Sequence, residues 1–122
     1  MGFYSGKKQE HSNYEERDRL SNPETNLMHK IMAALSADGH FVLRTNAGVY
    51  FDSRGKRVTI GFRGLSDLVG CTSDGKFYAI EVKMPGYKPR EDQQKFLDAM
   101  SRTGALAGCA HSIEEALEIV GR

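Results

Sequence analysis

The sequence predicts an α/β fold, a mixed β-sheet flanked by helices in the order α-β-β-β-β-α-β-α. Three observations carry that expectation. Apolar residues recur at helical spacing after Asn22, after Glu91 and after Ser112. Short β-rich runs fill the span between the first two of these helices and are broken by turn residues at 52–55 and 73–75. Finally, Ala105 to Ala110 is small, apolar and of strand length, and is expected to join the sheet beside the central hairpin.

Taken in order, residues 1–21 are polar and mixed in charge, with Phe3, Tyr4 and Tyr14 scattered without a period. They read as a flexible arm, able to order against nucleic acid or a second subunit. The first helix has Asn22 as N-cap, Pro23 at its first position and Glu24 in its first turn. Leu27, Met28, Ile31, Met32 and Leu35 form its apolar stripe, and it stops near Asp38-Gly39. Glu24 projects from the stripe's face, either as a helix-start acid or as part of a site.

A strand follows at His40 to Arg44, then a loop through Asn46 and Gly48. A hairpin follows, Val49 to Phe51 returning on Val58 to Ile60, and Gly61 and Gly64 bracket Phe62-Arg63. After the central hairpin, Pro85, Gly86 and Pro89 enforce a loop. Glu91 starts a helix with Phe96, Leu97 and Met100 as its stripe. Gln93 faces inward with that stripe, either capping local backbone or reaching a site, while Gln94 is rotated away. Ser112-Ile113-Glu114-Glu115 has the pattern of a capping box and opens the last helix, with Ile113, Ala116, Leu117 and Val120 facing the core.

The central hairpin, Gly64 to Gly70 and Phe77 to Val82 with Lys83, places ionisable residues in arms that otherwise look buried. A three-residue loop Ser73-Asp74-Gly75 with Gly75 left-handed pairs Cys71 with Phe77 and Leu68 with Ile80, which sets Asp67 opposite Glu81; a two-residue Asp74-Gly75 loop would put the two acids on opposite faces, and the Leu68–Ile80 pair favours the first. Opposed side chains lie roughly 5 Å apart at Cβ, where like charges need a proton or a cation between them. Glu81 and Lys83 share that face. Two acids and an ammonium fit a hard divalent cation with a charge stabiliser beside it.

The 122 residues suffice for one domain with a core, and the formal net charge is +1. Charge is unevenly spread. From Gly39 to Gly64 the only acid is Asp52, against Arg44, Arg54, Lys56, Arg57 and Arg63, and Lys83, Lys88 and Arg90 extend the bias. That stretch is either a solvated surface or a track for a polyanion approaching a bound metal. Arg44 and Asn46 stand as phosphate or metal-site contacts or as ordinary turn residues. No phosphate-binding loop is present, so no nucleotide cofactor is expected. No apolar run approaches a membrane span and no signal peptide opens the chain, so a cytoplasmic protein with no membrane partner is expected. Cys71 and Cys109 read as buried thiols, and the four histidines have no zinc-ligand spacing.

An Asp, a short hairpin and then Glu-x-Lys resembles the PD-(D/E)xK nuclease superfamily. More of the chain resembles its VRR-NUC family in order and spacing: Glu24 on the first helix, Arg44-Thr45-Asn46-Ala47-Gly48, Gly61 and Gly64 before Ser66-Asp67, Ile80-Glu81-Val82-Lys83, and Gln93 before Phe96. Ser66 departs from the Pro of the superfamily name. The likeness is to the stand-alone type found in phages and bacteria, whose setting would be the bacterial cytoplasm. It spans nearly all of the chain but the arm, so that residues 22–122 form one nuclease domain.

The resemblance implies a restriction-endonuclease-like core and phosphodiester hydrolysis dependent on Mg²⁺ or Mn²⁺. It implies metal ligation by Asp67, Glu81 and the Val82 carbonyl, with Glu24 completing the acidic site. Lys83 would orient or deprotonate the attacking water, and Gln93 would hold that water or Lys83. Arg44, Asn46, Arg54, Lys56, Arg57, Arg63 and Lys88 are the candidate DNA contacts. Stand-alone members resemble structure-selective enzymes, including resolvases of four-way (Holliday) junctions, and such a resolvase suits a homodimer. The competing expectations are a flap or nicking nuclease, an exonuclease acting at ends, a DNA-binding module without catalysis, and an interaction domain whose acids and lysine form a structural ion pair.

Overall fold

The computed structural model describes residues 22–121, and the expected arm over residues 1–21 lies outside the described residues. Helix α1 spans Pro23–Ala37. The Asn22 side chain accepts the Thr25 N–H at 3.2 Å, supplying the N-cap that the sequence signals. Its stripe is inside: Met28, Ile31, Met32 and Leu35 are buried and Leu27 packs against them. The helix ends at Asp38, and Gly39 turns the chain with φ +90°.

Strands β1 (Phe41–Arg44), β4 (Leu68–Cys71), β5 (Phe77–Val82) and β6 (Leu106–Ala110) form one mixed sheet in the order β1-β4-β5-β6. The first three run antiparallel, and β6 lies parallel to β5. Helix α2 (Glu91–Arg102) makes the crossover between β5 and β6, as a parallel pair requires. Helix α3 (Ile113–Ile119) closes the chain, with Ser112 Oγ accepting the Glu115 N–H at 3.1 Å.

Among the described residues, strands β2 (Gly48–Phe51) and β3 (Arg57–Ile60) pair only with each other, as a separate two-stranded ribbon. The run before α2 therefore holds five strands, one more than the expected order counted. All five segments, the hairpin of β2 and β3 included, are ones the sequence signals; what an alternating apolar pattern does not reveal is that this hairpin stays apart from the main sheet.

The core lies between one sheet face and helices α1 and α3, and includes Val42, Leu68, Tyr78, Ile80 and Val82 from the sheet and Ala116, Leu117 and Val120 from or just after α3. Each fully buried Leu or Ile here contributes roughly 1.5–3 kcal/mol. Tyr78 crosses to Gly70, its register partner, and its hydroxyl donates to the Phe41 carbonyl at 2.7 Å. A Cβ at Gly70 would stand 2.6 Å from that hydroxyl, so the tyrosine needs glycine opposite. Alternation along β5 leaves Ala79 and Glu81 on the other face, toward α2. Cys71 and Cys109 are free and half-buried rather than fully enclosed.

Candidate active site

The β4–β5 register decides the site. Leu68 pairs with Ile80 and Cys71 with Phe77 across a loop at Ser73-Asp74-Gly75, with Gly75 at φ +93°. Of the two registers the turn allows, this is the one favoured by pairing Leu68 with Ile80, and it carries Asp67 to the level of Glu81. Asp67 is fixed from three sides. Its carbonyl accepts the Thr45 N–H at 3.0 Å, one residue past β1. The Thr45 hydroxyl donates to the neighbouring Ser66 carbonyl at 2.8 Å. Its own carboxylate accepts the Val82 N–H at 2.9 Å through Oδ2. Ser66, where the superfamily name has Pro, is buried and donates its hydroxyl to the Leu68 carbonyl at 3.0 Å, tying the bend into β4.

Glu81 is only 2% exposed, an uncommon setting for a carboxylate. Its Oε2 accepts the Gln93 Nε2 amide at 2.8 Å and lies 3.8 Å from the Lys83 ammonium. Its Oε1 is buried and has no hydrogen-bond partner among the described residues. Burial and then the Asp67 charge push Glu81 up to about 8, against a smaller opposing pull from Lys83. Gln93 performs both roles left open by the sequence. Its Nε2 reaches Glu81 while its Oε1 accepts the Arg90 N–H at 2.8 Å, joining the start of α2 to the site. Gln94 points away, to Asp98.

Asp67, Glu81, Lys83 and Gln93 line a cavity of about 290 Å³ together with Glu24, Gly48, Phe62, Arg63 and Arg90. Glu24 thus comes from α1 to the same cavity as Asp67, Glu81, Lys83 and Gln93. Among the described residues no three His, Cys, Asp or Glu side chains converge as a ready metal cage, so the close acidic pair is Asp67 and Glu81 with Glu24 on the cavity wall. A smaller adjoining cavity brings Arg44 beside Glu24, Asp67 and Val82.

The remaining candidate DNA contacts are placed unevenly. Arg63 is at the cavity, paired with Asp92 at 2.7 Å. Asn46 turns the chain just before the ribbon at φ 54°, and its carbonyl accepts the Tyr50 hydroxyl. Arg54, Lys56 and Arg57 lie on the ribbon, away from the cavity, and Lys88 is exposed in the loop before α2. Sequence reasoning noted the charge of Arg90 but gave it no role, yet Arg90 lines the cavity and pairs with Asp92 at 3.2 Å. Thr45 was also missed. The only signal for it was its place between Arg44 and Asn46.

A protein-family model described as VRR-NUC domain matches residues 53–114, just over half of the chain. The chain belongs to the VRR-NUC family. A solved structure titled as a VRR-NUC domain superposes with a TM-score of 0.59 at 18% identity, over 80% of this chain and 92% of that one. At that identity the likeness concerns the fold, which is restriction-endonuclease-like as expected. No curated protein matches the chain. VRR-NUC domains are nucleases, which implies a DNA substrate, and they are generally dependent on a divalent metal.

The residues present fit such a metal. A buried carboxylate oxygen without a partner, set beside a second carboxylate, calls for a proton or a cation between the two acids, and a divalent ion would meet that need. The donors are oxygens, which suit a hard divalent ion.

Proposed function

We propose that this VRR-NUC protein is a PD-(D/E)xK-type endonuclease that hydrolyses phosphodiester bonds in branched DNA, four-way junctions above all, as a homodimer. The observation that carries the nuclease reading is the unpartnered Glu81 Oε1 beside Asp67, with Lys83 and Gln93 fixed around it. Asp67, Glu81 and the Val82 carbonyl would hold Mg²⁺ or Mn²⁺, with Glu24 completing the acidic wall. When bound, that ion supplies Lewis-acid activation of phosphate and water.

The chain's own residues do the rest. Val82 N–H aims the Asp67 carboxylate, and Gln93 Nε2 aims Glu81 Oε2. Lys83, mostly buried and held by Glu81, takes the proton from the attacking water or offsets charge that grows on the phosphate oxygens. Arg63 and Arg90, both paired with Asp92, stand on the cavity wall, where they would meet the approaching strand. A pure binding module would gain nothing from paired acids turned toward DNA.

The test is cleavage of a labelled four-way junction and of its linear duplex in Mg²⁺, Mn²⁺ or EDTA, with Glu81→Ala as control and light scattering on the same samples. Metal-dependent, symmetric cuts that favour the junction, made by a dimer, are expected. Equal cutting of both substrates removes the junction preference, and a strict monomer with DNA bound removes the dimer. Preferred cutting at flaps or ends replaces the resolvase with a flap nuclease or an exonuclease.

A further inference from the structure

Among the described residues the β2–β3 ribbon leaves apolar side chains exposed on both of its faces. Register puts Val49, Phe51, Arg57 and Thr59 on one face and Tyr50, Val58 and Ile60 on the other. All of these residues are exposed, and Phe51, at 69%, is the most exposed large apolar side chain among the described residues. A lone two-stranded ribbon is only marginally stable in water, and a phenyl ring left in solvent adds nothing to it. The turn is built to carry positive charge. Its one acid, Asp52, accepts the Arg54 and Lys56 backbone N–H groups through Oδ1, both at 2.9 Å, and the three cationic residues Arg54, Lys56 and Arg57 are exposed and outnumber it.

The ribbon is continuous with the active site. Gly48 at its start and Phe62 and Arg63 just past its end line the cavity that holds Glu81 and Lys83. From that end, four residues at about 3.3 Å each carry the cationic turn roughly 13 Å outward. That is about four steps along a DNA strand whose phosphate occupies the cavity.

We propose that the ribbon is the element that selects branched DNA: Phe51 stacks on a base exposed at the branch while Arg57, its cross-strand partner, holds the adjacent phosphate. An aromatic ring beside a guanidinium matches a base face beside a phosphate. Fully paired duplex keeps its base faces stacked and offers the ring nothing, whereas a branch point exposes them. A second copy of the chain is the poorer occupant, because a two-fold ribbon contact would set Arg54, Lys56 and Arg57 against themselves.

The inference uses the proposed nuclease reading only to say where DNA lies, so its readout is binding rather than cleavage. Affinity is measured in EDTA for a four-way junction, a gapped duplex and a paired duplex, with wild type, Phe51→Ala, Phe51→Leu and Arg57→Ala. Circular dichroism checks folding, and Phe51→Leu keeps the apolar bulk should the alanine variant unfold. Both Phe51 variants are expected to lose roughly ten- to a hundredfold on the junction and gap, against less than about threefold on paired duplex. Arg57→Ala should weaken all three substrates and lower the salt slope by about one. Equal losses on all substrates from the Phe51 variants, or no loss, overturn the proposal. So does a Phe51 variant that changes the assembly state without DNA, because the ribbon then faces a second copy. Absence of cleavage in Mg²⁺ with this binding pattern intact would remove the nuclease reading and leave the ribbon's role standing.

Discussion

Replacing Glu81 by glutamine should make the metal-free protein more stable at alkaline pH, the reverse of what loss of a structural ion pair does. Burial and the Asp67 charge raise Glu81 from 4.5 to about 8 in the fold. A raised carboxyl contributes stability that is fully present below about pH 4.5 and lost as pH climbs through about 8. Over that window, about 1.36 kcal/mol per pH unit caps the loss at about 5 kcal/mol, and relaxation with water entry brings it to about 2 kcal/mol. Glu81→Gln keeps an acceptor for the Gln93 amide and carries no charge, so it escapes the loss. For a domain of this size the difference is about 10 °C in Tm. The assay is thermal melting by circular dichroism in EDTA from pH 5 to 9. Wild type should melt progressively lower as pH rises while Glu81→Gln stays nearly level. Mg²⁺ should restore wild type at pH 8 and leave the variant unmoved. A variant less stable than wild type at pH 8 in EDTA would refute the reasoning, because the Glu81–Lys83 contact would then be holding the fold together.

Other substitutions separate site from scaffold. Gln93→Ala removes the donor to Glu81 and the link to Arg90, and should cut cleavage about ten- to a hundredfold with a stability loss of about 1 kcal/mol. Leu35→Ala, in the α1 core, should cost about 2–5 kcal/mol in urea melts while leaving the rate per folded molecule unchanged. Gly64→Ala puts a Cβ 2.6 Å from the Asp92 carbonyl at φ +96°, and should lower both stability and cleavage because that loop leads into Asp67. His111 has both ring nitrogens against acceptors, the Tyr87 carbonyl at 2.8 Å and Glu115 at 2.9 Å, and these raise its pKa. Only the charged imidazole donates to both, so the clasp on the Tyr87 loop is intact below about pH 6.5 and lost as pH rises through the raised value. Amide exchange around Tyr87 should quicken from pH 6 to pH 9 beyond the intrinsic chemical rate.

The sequence was most legible where one geometric rule decided many residues. The Ser73-Asp74-Gly75 turn set the β4–β5 register, and with it the meeting of Asp67 and Glu81. Caps and stripes likewise located α1 and α3, and the stripe alone located α2, because capping and 3.6-residue periodicity are local. What stayed hidden depends on contacts between segments distant in the chain. Strand periodicity is the same for β2–β3 as for the main sheet, so their separation could not be read from it. Gln93 looked like a choice between two partners because each was judged alone, and the fold satisfies both ends of the amide together. Thr45 and Arg90 act through backbone and cavity geometry fixed only once β1, β4 and α2 come together.

The most direct test is the rate of phosphodiester cleavage at saturating Mg²⁺ by wild type and by Glu81→Gln, with DNA binding measured on the same samples. The acidic pair predicts a fall of at least about a hundredfold in the variant with binding kept or tightened. Cleavage that survives in Glu81→Gln, or that persists in EDTA, would place the chemistry elsewhere in the molecule.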